Sequence, residues 1–239
     1  MPKPGRVNRK ALRQLSPNRN LGIAIRPLPE FNIVYVKNPK AACSTLLVWL
    51  DRMHTRDYEH EFANVHVEHR LPYARDVGWG KVSRMLSGSA YRFTFVRNPV
   101  RRFESAYWDK VVPEGRWRDE IRAVLGLSSD DGKPLTFEQF LDAVEQQDPV
   151  TEMNPHWRPQ HLNLWHPLIT YDRVGRLESF DQDLEQIREE AGLPHVPLQV
   201  RNRSKKRRGG PVYEDRPDLV RRVEELYAED MEIYGYEKS

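Results

Sequence analysis

Asn32-Ile33-Val34-Tyr35-Val36-Lys37-Asn38-Pro39-Lys40-Ala41-Ala42-Cys43-Ser44-Thr45-Leu46-Leu47-Val48-Trp49-Leu50 is the stretch that decides the fold. It opens with a β-branched and aromatic run that reads as a buried strand. It closes with an apolar run that can wind as a helix, with Ser44 and Thr45 near its start. Between them lies a loop of small residues carrying Lys40. A strand, a tight loop and a helix N-terminus make a cradle for a phosphate-like anion. Backbone N–H groups and the positive end of the helix dipole face the ligand, and a cation completes the charge. Taken alone, the stretch could also be an ordinary strand-to-helix turn with a surface lysine.

The loop is not a Walker A motif, which needs lysine directly before the hydroxyl residue and two glycines. Here Lys40 precedes Ser44 by four positions and the loop has no glycine. A second anion signature follows in Phe95-Val96-Arg97-Asn98-Pro99-Val100-Arg101-Arg102-Phe103-Glu104-Ser105-Ala106-Tyr107. Arg97 ends a predicted strand, where side chains project into the crevice of an open sheet. A guanidinium clamps a phosphate in bidentate fashion, and the Ser105 hydroxyl, two helical turns on, adds a donor.

A chain of 239 residues can bury one good core. The mean hydropathy of −0.76 indicates a polar surface, and the net charge of +3 suits an anionic ligand without requiring nucleic acid. Cys43 is the single cysteine, so no intramolecular disulfide and no Cys-rich metal site can form. Residues 1–20 are basic without an apolar core and read as a flexible arm, followed by one domain over residues 21–239. No stretch has the length and apolarity of a membrane span. Together these features point to a cytoplasmic protein.

Further elements follow by pattern. Ile23–Ile25 can add an edge strand, and Val77–Ser87 a helix. Tyr91–Val96 is the second clear strand, with a helix beginning at Pro99. Residues 113–135 carry turn residues around a short helix, and Thr136 caps another helix. A strand is expected at 168–176, a helix over Asp181–Ala191 ended by Gly192, and a final helix over 217–234. Strands alternating with helices predict an α/β fold with a central, mainly parallel sheet flanked by helices.

The pattern P-K-x-x-x-[ST]-[ST] after a strand resembles the 5′-phosphosulfate loop of sulfotransferases. The Arg97–Tyr107 stretch resembles their 3′-phosphate motif, R-[DN]-P-x-x-R-x-x-S-x-[YF]. Asn154-Pro155-His156-Trp157-Arg158-Pro159-Gln160, Tyr171–Phe180 and the tail Ile233-Tyr234-Gly235-Tyr236 are similar to carbohydrate sulfotransferases of the HNK-1, chondroitin and dermatan type. The resemblance runs from about residue 31 to 236. It implies a P-loop NTPase-like sulfotransferase fold and metal-free use of 3′-phosphoadenosine 5′-phosphosulfate (PAPS), with adenosine 3′,5′-bisphosphate as product. The acceptor it implies is a hydroxyl on a glycan or glycosylated small molecule. Animal relatives are Golgi-anchored, so a chain lacking a membrane segment and disulfides is expected to be a bacterial-type soluble member.

By position, the resemblance assigns Lys40, Ala41, Ala42, Cys43, Ser44 and Thr45 to the sulfonate and 5′-phosphate. Arg97 and Ser105 fall to the 3′-phosphate. The late basic loop around Arg203 and Lys205 closes over that phosphate in relatives. It reads equally as a solvated charged loop, and a nucleic-acid role lacks a recognition helix or interleaved aromatics. The Cys43 thiol is expected to pack. A general base must activate the acceptor. His66, between the two phosphate motifs, is the first candidate, with His69 and Glu68 beside it, and His156 is the alternative. Trp108, Trp157 and Trp165 are candidates to line a sugar cleft or to pack in the core. Two other classes stay open, an ATP- and Mg²⁺-dependent P-loop kinase and a non-catalytic anion- or nucleic-acid-binding module.

Overall fold

The computed structural model describes residues 7–127, 134–198 and 212–238. Four strands form one sheet in the order β1 (Ile25–Leu28), β2 (Ile33–Val36), β3 (Tyr91–Val96) and β4 (Arg173–Arg176). β2, β3 and β4 run parallel, while β1 is an antiparallel edge returned through Asn32, whose φ is +52°. The expected edge strand is therefore present but lies later than Ile23–Ile25 and includes Pro27, which an edge strand tolerates.

Strand alternation sorts side chains to two faces. Tyr35, Phe93 and Phe95 join Leu46, Leu47 and Leu50 of the Cys43–Thr55 helix and Leu184 and Ile187 of the Phe180–Glu190 helix. Tyr35 and Phe93, paired in register, stack at 5.3 Å. Val34, Val36 and Val96 face Val82, Met85, Leu86, Trp165 and Leu12 on the other side. A third cluster contains no strand residue and packs Phe103, Phe140, Trp157, Leu219 and Val223.

Further expectations change, and the strand expected at 168–176 covers only Arg173–Arg176. Residues 7–20 are not a loose arm. Asn8 caps an Arg9–Leu15 helix, Val7 and Leu12 are buried, and the Trp165 indole donates to the Leu12 carbonyl at 2.9 Å. The helix expected over Val77–Ser87 is α-helical over Trp79–Arg84 and then widens into a π-type turn through Ser89. The last helix is two, Pro217–Leu226 and Ala228–Tyr234, broken at Tyr227, whose buried hydroxyl donates to the Trp157 carbonyl. Among the described residues no helix is long and apolar enough to cross a membrane.

Candidate active site

The loop after β2 is held from several sides. The Lys37 N–H donates to the Ala24 carbonyl at 2.7 Å. The buried Asn38 amide donates to the Phe95 carbonyl at 3.0 Å and to Gln160 Oε1 at 2.9 Å. Lys40 (φ +70°) and Ala42 (φ +57°) sit in the left-handed region without a glycine. Such conformations persist where surrounding contacts over-determine them. One of those contacts is the wholly buried Arg102, whose Nε donates to the Pro39 carbonyl at 3.0 Å. The 13-residue helix that begins at Cys43 has no side-chain cap at its N-terminus. Its first N–H groups and the nearby Lys40 ammonium fit an anionic donor group.

Lys40 Nζ pairs with Asp109 Oδ2 at 2.8 Å, and Lys110 Nζ reaches the same oxygen at 3.2 Å. Asp109 lies in a π-type turn, Tyr107–Val111, that prolongs the Pro99–Ala106 helix. Such wide turns recur at functional sites. Burial pulls the Lys40 pKa below that of an ordinary lysine, against the attraction of Asp109. Burial raises the Asp109 carboxyl, but Lys40 and Lys110 outweigh it and hold its pKa low.

The two candidate bases differ in what their rings face. His66 Nδ1 lies 3.1 Å from Lys37 Nζ, and Nε2 lies 2.9 Å from Ser44 Oγ. An ammonium can only donate, so Nδ1 accepts and Nε2–H donates to Ser44. Both nitrogens are engaged. Loss of solvent around them and then the Lys37 charge lower the His66 pKa to about 4, although the residue's outer edge is exposed.

His156 Nδ1 lies 2.6 Å from Asn154 Oδ1, which also accepts the His156 N–H at 3.0 Å. The amide oxygen only accepts, so Nδ1 carries the proton and Nε2 keeps its lone pair. Burial and then the charges of Lys110 and Lys40 lower this pKa to about 2. His69, by contrast, is buried and engaged with Arg26 at 3.1 Å. Glu68 ends the short Val65–Glu68 helix and is exposed.

The second anion signature begins where β3 ends. Arg97 is half-buried, and Ser105 is half-buried near the end of the Pro99–Ala106 helix, which Asn98 caps. The buried Arg102 guanidinium is committed to main-chain carbonyls. Besides Pro39 it donates to the Arg158 carbonyl at 2.8 Å and the Pro155 carbonyl at 2.9 Å. It thereby fastens the 155–158 loop, and with it His156, to the first anion loop. Arg203 and Lys205 lie outside the described residues.

Trp157 and Trp165 are buried, so they are core and not cleft, while Trp108 is half-buried. Trp117 is the tryptophan beside His156, with ring centres 6.1 Å apart. Cys43 is half-buried and Thr45 buried at the helix start. Lys37, Asp109, Lys110 and Gln160 escaped the sequence reading. Lys37 and Gln160 lay inside quoted stretches without being given a role, whereas Asp109 and Lys110 left no signal.

The chain is thus an α/β protein with two basic strand-to-helix junctions suited to an anionic donor. Residues 25–237 match the pattern of the sulfotransferase family, and the chain belongs to that family. Among similar curated proteins, carbohydrate sulfotransferase 14 of Homo sapiens is 31% identical over 72% of this chain and 48% of its own length. Carbohydrate sulfotransferase 14 of Danio rerio is 30% identical over 70% of this chain and 48% of its own. Carbohydrate sulfotransferase 12 of Mus musculus is 30% identical over 67% and 44%. The chain thus spans about half the length of the curated relatives it matches. No solved structure matches the chain significantly. Membership implies a sulfonate donor such as PAPS.

Proposed function

We propose that this chain transfers a sulfonate from PAPS to a hydroxyl of a carbohydrate or glycosylated small molecule. The observation that carries the reading is the uncapped N-terminus of the Cys43–Thr55 helix above a left-handed loop whose Lys40 is held by Asp109. The β2–loop–helix unit is then a P-loop-like cradle that works without glycine. Ala41 to Thr45 would supply backbone and hydroxyl donors to the sulfonate and 5′-phosphate. Arg97 and Ser105 would take the 3′-phosphate, with Arg203 and Lys205 as further contacts.

The bound donor supplies an activated sulfonate, carried on a phosphate that becomes the leaving group. Lys40 offsets the negative charge that grows on that phosphate. His156 Nε2 accepts the proton of the acceptor hydroxyl, with Asn154 fixing the tautomer. A low pKa in the free protein keeps that lone pair available, and anionic ligands that offset Lys110 and Lys40 would raise it. His66 is better placed to orient Ser44 than to act as base, because neither ring nitrogen is free.

The test is transfer of ³⁵S from labelled PAPS to a panel of oligosaccharides and glycosides. Labelled acceptor and stoichiometric adenosine 3′,5′-bisphosphate are expected. Label that stays on the donor across the panel, with no bisphosphate binding, contradicts the proposal.

A further inference from the structure

Gln160 is wholly buried and touches both anion junctions with one side-chain amide. Its Oε1 accepts from Asn38 Nδ2 at 2.9 Å and from the Arg97 N–H at 3.0 Å. Its Nε2 donates to the Arg97 carbonyl at 2.8 Å. The ladder between β3 and β4 ends at Val96 and Arg176. One residue further on, Gln160 takes both main-chain groups of Arg97, as a neighbouring strand would. The same amide pins Asn38, two residues before Lys40, while the other Asn38 bond runs to Phe95 on β3.

Gln160 is itself anchored. Its N–H donates to Asp230 Oδ2 at 2.6 Å, and the His161 N–H donates to Oδ1 at 2.8 Å. Asp230 is wholly buried in the Ala228–Tyr234 helix, and His161 Nδ1 contacts it at 2.7 Å. A continuous set of short bonds therefore runs from the last helix to the Lys40 loop and to Arg97. A buried amide with its polar atoms satisfied is rigid, and losing one partner leaves the others unpaired.

We infer that Gln160 is a positioning residue that sets the spacing between the two anion grips, and so selects nucleotides phosphorylated at both the 3′ and 5′ positions. The inference rests on the donor-site reading above. Neither grip needs Gln160 as a ligand. Each needs it to stand at the right distance from the other, because a ligand that engages both ends gains only where the two sites match its span.

The experiment is calorimetry on Gln160→Met and Gln160→Glu against wild type, with adenosine 3′,5′-bisphosphate and adenosine 5′-monophosphate, alongside thermal unfolding. Wild type should prefer the bisphosphate, and Gln160→Met should cut that preference roughly tenfold, with monophosphate binding little changed. Gln160→Glu keeps the acceptor but sets a carboxylate oxygen against the Arg97 carbonyl. Its preference, taken relative to wild type at each pH, should be low near pH 8 and recover near pH 5, where a protonated carboxyl can donate. A variant that is merely less stable would lower the unfolding temperature without moving the ratio. Unchanged ratios in both variants, or parallel loss of both nucleotides, overturn the inference. Should Gln160→Met not fold, the pH comparison on Gln160→Glu decides. A wild type with no preference for the 3′-phosphate overturns the donor-site reading and this inference together.

Discussion

At the scale of single residues, the choice of base turns on which imidazole nitrogen keeps a lone pair. His156 Nε2 has one, whereas both nitrogens of His66 are engaged by Lys37 and Ser44. His156→Gln should lower kcat by about 10²-fold or more while leaving bisphosphate affinity nearly intact. His66→Ala should instead weaken donor binding, because Ser44 loses its partner. Steady-state kinetics with donor titration and calorimetry separate the two. The reverse pattern would return the base to His66. Asp109 is a second residue-scale case. Its carboxylate neutralises Lys40 in the free protein and would repel an anionic donor. Asp109→Asn should tighten bisphosphate binding several-fold, by roughly 1 kcal/mol at most, since Asp109 is half exposed. Weaker binding would mean that Asp109 holds Lys40 in its binding pose.

At the scale of elements, Gly175 in β4 shows how closely the sheet packs beneath the site. A Cβ there would meet the Phe95 ring at 2.6 Å, so Gly175→Ala should cost about 1–3 kcal/mol in denaturant unfolding. Thr136→Ala removes a complete capping box from the Phe137–Glu145 helix and should cost about 1 kcal/mol. That helix packs in the third cluster, so nucleotide affinity should not change. β3 was legible to the residue because five of its six residues are strand formers, and Thr136 was legible because its cap is local. The break at Tyr227 was not, since the apolar period continues across it and the fixing bond reaches back 70 residues to Trp157. For the same reason the sequence alone could not weigh His66 against His156. Lys37 and His66 are 29 positions apart, and no local pattern records that they meet.

At the scale of the whole molecule, the fold keeps histidines neutral that would be charged in the open chain. Burial and then Arg26 hold the His69 pKa to about 4, and His156 lies lower, at about 2. The ordinary value is about 6.5. Below it the unfolded chain takes up protons that the folded chain refuses, so stability falls as pH drops through about 6.5 towards about 4. Unfolding temperatures between about pH 7.5 and pH 5 should decline accordingly, and a flat profile would contradict neutral buried histidines.

In the proposed reaction two basic junctions, one at Lys40 and one at Arg97, grip opposite ends of one nucleotide. Calorimetric titration of adenosine 3′,5′-bisphosphate in the presence of a metal chelator decides whether they do. Wild type should bind, Lys40→Ala should lose binding, and Arg97→Ala should lose binding only of ligands that carry the 3′-phosphate. Metal-dependent binding of ATP with no response to the bisphosphate would contradict this two-ended grip.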